Sequence, residues 1–256
     1  MMDLRMRKEL ADGYKSRSQI ARILTESWFS ENMYCPACTS DHLDVLPNNT
    51  AVVDFICPEC REPFQLKSQS KNFGHSVTNS EYYTKVRKIR SGMAPNWSLL
   101  RYDMEDLTVK DLLVIPRHFM TLDLVQKREP LKSSARRAGW TGSNVLIGEL
   151  PPDARLFVVE NGNPLPRDTV RRNWKRFEFL KKRDLRDRSW TRDVMFYIRE
   201  LGKEEFSLRD LYRFEGELSK RHPRNRHIQA KIRQQLQVLR DENVLDFIGR
   251  GLYRLK

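Results

Sequence analysis

The chain alternates between short apolar runs and longer amphipathic stretches, and the balance between them changes along its length. In the first part, runs of β-branched and aromatic residues bounded by Asn, Gly or Pro predict strands. These runs are residues 43–46, 51–56, 64–67, 97–102, 112–115 and 156–160. Apolar residues at helical spacing predict one or two helices within residues 4–31 and another over residues 79–90. This order is typical of a mixed α/β unit around a central sheet.

The pattern becomes helical after a breaker cluster at residues 162–166 and a charge-dense connector at residues 167–188. Helices are predicted over residues 190–201, from a capping-box-like start at Ser207, and over residues 225–243. A hairpin turned at Gly249-Arg250-Gly251 follows. Three helices and a hairpin are the order of an α+β winged helix. We therefore predict two domains, residues 1–180 and 181–256.

The charge distribution points to nucleic acid as the partner. The net charge is +13 and the pI is near 9.7. From residue 166 onward there are 25 Lys and Arg residues against 14 Asp and Glu, so the excess is concentrated in the last third. A basic chain can also be basic for solubility alone, but this asymmetry favours an anionic partner.

No apolar run is long enough to span a bilayer, and the first residues lack the apolar stretch of a secretion signal. We therefore expect a cytoplasmic protein without membrane contacts. In that compartment thiols stay reduced, which favours metal ligation over disulfides.

All four cysteines lie in two Cys-x-x-Cys pairs, Cys35 with Cys38 and Cys57 with Cys60, separated by eighteen residues. This spacing matches the four-thiolate site that zinc prefers, and such a closed site is structural because no position is left for water. Two disulfides or four unrelated thiols are the alternatives.

A candidate nuclease hairpin flanks the second cysteine pair. If the chain turns at residues 57–62, Asp54 lies opposite Gln65 in an antiparallel pair, and Lys67 shares the face of Gln65 because side chains alternate along a strand. Mg²⁺ prefers oxygen ligands, which the Asp54 carboxylate, the Gln65 side chain and the Leu66 carbonyl would supply. Lys67 would act on the attacking water and the developing charge. A solvated strand face is the alternative, because this spacing is common.

Other acids could contribute to that site. Glu59 and Glu62 lie nearby, although Glu62 would face away without a bulge. Glu26 on the first helix, or Glu81, could add a second carboxylate.

The third helix of the second part presents residues suited to DNA. If the apolar face of this helix packs inward, the exposed side chains of its first half are expected to contact base edges and phosphates. Arg250 in the wing would reach the DNA backbone or minor groove. The helix residues are Arg226, His227, Gln229, Arg233 and Gln234.

Taken together, these residues resemble the DpnI-type methyl-directed restriction endonucleases, in which a PD-(D/E)xK nuclease domain precedes a winged helix. The similar stretches run nearly end to end: Ser18-Gln-Ile-Ala-Arg-Ile-Leu-Thr-Glu26, Tyr34-Cys-Pro, Asp54-Phe-Ile-Cys57, Phe64-Gln-Leu-Lys-Ser68, Ala135-Arg-Arg-Ala-Gly-Trp-Thr-Gly142 and Lys231-Ile-Arg-Gln-Gln-Leu-Gln-Val-Leu-Arg-Asp241. The resemblance implies a restriction-endonuclease-like α/β fold with a four-cysteine zinc insert. It also implies type II cleavage of double-stranded DNA at GATC sites carrying methylated adenine, with Mg²⁺.

The resemblance places the family's catalytic Asp at Asp54 and its Lys at Lys67, but its Glu falls on Gln65. It also favours a DNA-reading role for Arg136, Arg137, Ala138 and Trp140, with Trp140 against the adenine methyl groups. Because an amide brings no charge, a methylated-DNA reader that cuts weakly or not at all is the alternative function. A winged-helix regulator is a third. We expect a monomer with no protein partner.

Overall fold

The structure is a computed structural model that describes residues 2–47, 50 and 52–256. Its helices are α1 (Arg17–Asn32), α2 (Tyr82–Arg90), α3 (Arg167–Arg176), α4 (Leu185–Glu200), α5 (Leu208–Tyr212), α6 (Glu215–Arg221) and α7 (Ile228–Asp241). Its strands are β1 (Asp44–Val45), β2 (Phe55–Ile56), β3 (Pro63–Gln69), β4 (Val77–Glu81), β5 (Asn96–Asp103), β6 (Thr108–Ile115), β7 (Val125–Lys127), β8 (Gly142–Val145), β9 (Leu156–Glu160), β10 (Asn163–Pro164), β11 (Glu205–Ser207), β12 (Leu245–Gly249) and β13 (Leu252–Leu255). Short 3-10 turns include Arg117–Phe119, Leu122–Leu124 and Glu178–Lys182.

A seven-stranded sheet in the order β1-β2-β3-β5-β6-β9-β10 forms the centre of the fold. Its neighbours are antiparallel except β3 and β5, which are parallel. On one face, Leu24, Trp28 and Phe29 of α1 share a buried cluster with Phe64 and Leu66 of β3. The alternating faces of β3 therefore place Gln65 and Lys67 away from α1, as the period of a strand requires.

The opposite face of the sheet is covered by α2 and the C-terminal part of the chain. Trp97 and Leu99 of β5 share one buried cluster with Ile89 of α2 and with Trp190 and Val194 of α4. The predicted mixed α/β fold with a following winged helix is confirmed. The division at residue 180 stays a prediction, and it falls inside the 3-10 turn Glu178–Lys182.

The C-terminal part has the predicted winged-helix order, with one helix more than expected. The Ser207 and Asp210 side chains form a capping box at the start of α5, and β11, β13 and β12 form a three-stranded sheet. The additional helix is α6, whose single buried apolar residue, Leu218, gives it too weak a period to be recognised.

Helix α4 contacts the rest of the molecule through ion pairs. Arg192 is fully buried and pairs with Asp123 and with Asp193, the latter at 2.6 Å. Arg199 pairs with Asp153 at 2.5 Å. These ion pairs join α4 to the segments around residues 123 and 153.

The predicted helix over residues 79–90 begins too early. Residues 77–81 form β4, which pairs with β8 in a small sheet with β7, and the helix starts at Tyr82. The Glu81 carboxylate accepts hydrogen bonds from the Tyr83 and Thr84 N–H groups and so caps α2. Of the strand predicted over residues 51–56, Phe55–Ile56 forms a strand, and Ala51 lies outside the described residues.

Candidate functional site

The predicted hairpin register is present. Phe55 pairs with Phe64 and Ile56 with Pro63, and the Asp54 N–H donates to the Phe64 carbonyl at 2.9 Å. The Asp54 carboxylate accepts a hydrogen bond from the Leu66 N–H at 2.8 Å. Asp54 is therefore held against β3 between the predicted partners Gln65 and Lys67.

The Lys67 charge influences the pKa of two carboxylates, Asp54 and Glu26. Burial raises the pKa of Asp54, and the Leu66 N–H and the Lys67 ammonium partly offset this effect. Burial also raises the pKa of Glu26 on α1, where Arg22 and Lys67 lower it and the Asp54 charge raises it. Glu26 and Asp54 line the same groove between α1 and the segment before β2. Of the two acids that could add a second carboxylate, Glu26 shares this groove with Asp54, whereas Glu81 caps α2.

Gln65 has a buried acceptor without a partner. The residue is 4% exposed, and its Oε1 atom has no hydrogen-bond partner among the described residues. A buried polar atom left unpaired calls for a bound water, ion or ligand to complete it. An amide oxygen of this kind fits a hard divalent cation, which takes oxygen ligands.

The neighbouring acids Glu59 and Glu62 point elsewhere. Glu62 is buried, and its carboxylate forms ion pairs with Arg117 at 3.1 Å and Lys181 at 2.9 Å. It also accepts a hydrogen bond from the Asn96 amide at 2.9 Å. Glu59 contacts the Cys38 thiol and the Thr39 hydroxyl. Glu62 thus faces away from Gln65, as strand alternation predicts, and joins the hairpin to the segments that follow β6 and α3.

The four cysteines converge. Their sulfur atoms all lie within 4.8 Å of one another, with Cys35 to Cys60 at 3.6 Å and Cys38 to Cys57 at 3.5 Å. A tetrahedral zinc site with Zn–S bonds of about 2.3 Å separates its sulfurs by about 3.8 Å. All four thiols are free, so the disulfide alternative is wrong for this structure. The cluster is compatible with structural zinc.

Helix α3 holds the cysteine segment from outside. The Arg171 guanidinium donates to the carbonyl oxygens of Cys35 at 3.2 Å and Ser40 at 3.1 Å. Arg167 and Arg171 also lie over the buried Tyr34 ring, 4.9 and 5.3 Å from its centre. The cluster therefore connects the β2–β3 turn to α1 and α3 and braces the hairpin that carries Asp54 and Gln65.

The segment predicted to read DNA in the first domain is an exposed loop between β7 and β8. Arg136, Arg137 and Ala138 are exposed, and Trp140 is part-exposed and belongs to neither buried cluster. The Arg137 guanidinium lies 4.9 Å from the centre of the Trp140 ring. A Cβ atom at Gly142 would lie 2.9 Å from the indole, so this glycine makes room for the ring. Trp140 is available to a partner rather than enclosed in the core.

Helix α7 has the predicted orientation. Ile228, Ile232, Leu236 and Leu239 are buried. The side chains predicted to contact DNA all lie on the exposed side of α7 or just before its start, and they are Arg226, His227, Gln229, Arg233 and Gln234. Arg250 is exposed in the wing. Two of them are tied to neighbouring helices, since Gln229 donates to Glu215 and Arg233 to the Tyr212 hydroxyl, both at 2.7 Å.

Lys85 is a residue at this site that the sequence analysis missed. Its side chain is almost wholly buried, and its Nζ lies 4.0 Å from the centre of the Trp97 ring. Trp97 pairs with Gln65 across β3 and β5. Burial, and secondarily the Lys67 ammonium, lower the pKa of Lys85 well below its usual value. The sequence signal that could have found it is its spacing, because Lys85 lies one helical turn before the buried Ile89 and so shares the buried face of α2.

Comparison with protein families gave two matches that together span nearly all of the chain. Residues 2–183 match the family model of DpnI, described as the Dam-replacing family. Residues 186–255 match its C-terminal partner, described as the Dam-replacing HTH domain. Among the described residues, no helix combines the length and apolar composition needed to cross a membrane.

Proposed function

Because the chain belongs to the DpnI family of nucleases, we propose that it is a type II endonuclease that cleaves double-stranded DNA at GATC sites containing methylated adenine. The observation that carries the proposal is the hairpin, where Asp54 is bound to the Leu66 N–H beside an unpaired Gln65 oxygen and the Lys67 ammonium. Oxygen ligands next to a cation are the requirement of metal-dependent phosphodiester hydrolysis.

In this proposal Mg²⁺ is held by the Asp54 carboxylate, the Gln65 Oε1 atom and the Leu66 carbonyl. When bound, it supplies Lewis-acid stabilisation of the phosphate and a more acidic water. Lys67 orients the attacking water and offsets the negative charge that develops on the phosphate. Glu26, which lines the same groove as Asp54, would add a second negative charge near the metal.

Two surfaces are proposed to bind the duplex. Arg136 and Arg137 contact the backbone or guanine edges, and Trp140 lies against the adenine methyl groups in the major groove. In the winged helix, Arg226, His227, Gln229, Arg233 and Gln234 enter the major groove, and Arg250 contacts the backbone. The positive charge concentrated after residue 166 supports this arrangement, and affinity should fall steeply with salt because counterions are released. The protein acts as a monomer, without a protein partner, in the cytoplasm.

The second candidate is a reader of methylated sites that cuts DNA weakly or not at all. Gln65 favours this candidate, because an amide carries no charge and the Asp54 carboxylate alone binds Mg²⁺ less tightly than two acids would. Digestion of plasmid DNA from methylating and non-methylating hosts, with Mg²⁺ and with Asp54→Asn as control, separates the two. The endonuclease produces discrete fragments from methylated plasmid only, and the control produces none. A shift in electrophoretic mobility without fragments supports the reader.

A further inference from the structure

A small cavity lies where the nuclease domain meets the winged helix. It has a volume of about 100 Å³ and lies between the turn Arg117–Phe119, the turn Glu178–Lys182 and the start of α4. Its walls are Ile89, Gly92, Ala94, Arg117, His118, Met120, Lys181 and Arg188. None of these residues belongs to the proposed nuclease site or to the DNA-binding surfaces.

His118 in the wall of this cavity is left without hydrogen bonds. It is 1% exposed, and neither Nδ1 nor Nε2 has a partner among the described residues. The ring is fixed between Phe119 and Trp174, with ring centres 5.2 and 5.8 Å away. Burial, and then the charges of Lys181, Arg188 and Arg117, lower its pKa well below the usual value. At neutral pH the ring is uncharged and keeps one N–H donor that needs an acceptor.

The cavity also has an excess of positive charge. The Arg188 guanidinium donates to the carbonyl oxygens of Arg117 and His118 at 2.7 Å and of Met120 at 2.9 Å. No carboxylate of the described residues pairs with it. Arg117 and Lys181 share the single buried carboxylate of Glu62. Three cations therefore face one buried anion and the half-exposed Glu178, which pairs with Lys181.

We infer that this cavity binds a small inorganic anion of halide size, which accepts hydrogen bonds from the His118 ring and from the cationic side chains around it. A water molecule could pair with His118, but only an anion would also balance the unpaired charge of Arg188. The volume of about 100 Å³ admits a chloride or bromide ion with water, and gluconate is much larger than either ion. Because Arg188 belongs to α4, the anion stabilises the attachment of the winged helix to the nuclease domain. The inference does not depend on the proposed nuclease function.

The test uses the full-length protein. Crystals grown in bromide should show an anomalous peak within the cavity, beside His118. The thermal unfolding midpoint should be higher in chloride than in gluconate at equal ionic strength and should rise with chloride concentration, because an ion bound only by the folded state stabilises it. This order is opposite to the general stabilisation by strongly hydrated anions.

Variants separate the site from general salt effects. In Lys181→Met the chloride dependence should be lost or much reduced, whereas Lys182→Met, which removes the same charge from the exposed neighbour, should retain it. The bromide peak in the unaltered protein decides the matter if Lys181→Met folds poorly. A cavity without anomalous density, or a chloride dependence equal in the two variants, would overturn the inference.

Discussion

Replacing Glu62 by Gln tests how the hairpin is held to the rest of the molecule. Only 8% of the Glu62 side chain is exposed, and its carboxylate lies 3.1 Å from Arg117 and 2.9 Å from Lys181. Removing one partner of a buried ion pair costs about 3–5 kcal/mol. The two cations are 29% and 26% exposed and so keep part of their hydration, and the Asn96 contact can survive with an amide. We therefore expect a loss of about 2–3 kcal/mol in the free energy of unfolding at pH 7.

The loss should depend on pH in a defined direction. Burial alone would raise the pKa of Glu62, but the Asn96 amide, Lys181 and Arg117 hold it below its usual 4.5. The folded state therefore binds this proton more weakly than the unfolded state, and the stabilisation is present above the unfolded pKa and lost as pH falls through the folded one. The difference between Glu62→Gln and the unaltered protein should be largest at neutral pH and shrink as pH falls below about 4.

Urea unfolding followed by circular dichroism, from pH 7 down to about pH 2.5, measures this difference directly. Glu105→Gln, an exposed acid in the turn between β5 and β6, is the matched control and should change stability little. The reasoning is refuted if Glu62→Gln and Glu105→Gln are equally stable at pH 7, or if the Glu62→Gln deficit is the same at all pH values.

Four further predictions concern the site and its surroundings. Gln65→Glu should raise nuclease activity at low Mg²⁺, because it adds a negative charge to the ligand set; an unchanged or lower rate with intact folding would mean that position 65 does not bind the metal. Trp140→Ala should erode the preference for methylated over unmethylated duplexes in a binding assay, and an equal loss on both would instead indicate a packing role. Lys85→Met should be more stable than the unaltered protein at pH 7. The folded-state pKa of Lys85 lies below its unfolded value of 10.5, so the stability of the unaltered protein rises with pH between these two pKa values and the difference from Lys85→Met should close toward pH 10.5. A stability difference that stays constant over that range contradicts this prediction. Zinc removal by a chelator should lower the unfolding midpoint, and metal analysis should find about one zinc per chain; a chain that contains no zinc, or whose midpoint is insensitive to the chelator, would contradict the cluster's structural role.

The parts of the fold that sequence predicted are those where local pattern and tertiary role agree. The apolar face of α7 follows helical spacing and is buried, and the hairpin register follows because Asp54 and Gln65 are placed symmetrically about one turn. The cysteine spacing likewise predicted a cluster whose sulfurs converge.

The parts that sequence did not predict depend on contacts between distant segments. Strand β4 is polar and carries no alternating apolar pattern, so only its pairing with β8 makes it a strand. Lys85 looks like a solvated residue of an amphipathic helix, and only the position of Trp97 on the neighbouring strand encloses it. The partners of Glu62 come from residues 96, 117 and 181, which no local pattern connects.

The central claim is tested most directly by the single-turnover cleavage rate of a short duplex with one GATC site, compared between adenine-methylated and unmethylated forms in the presence of Mg²⁺. We predict cleavage of the methylated duplex, abolished by Asp54→Asn, and little or none of the unmethylated one. Equal rates on the two duplexes, or cleavage that persists in Asp54→Asn, would contradict the account.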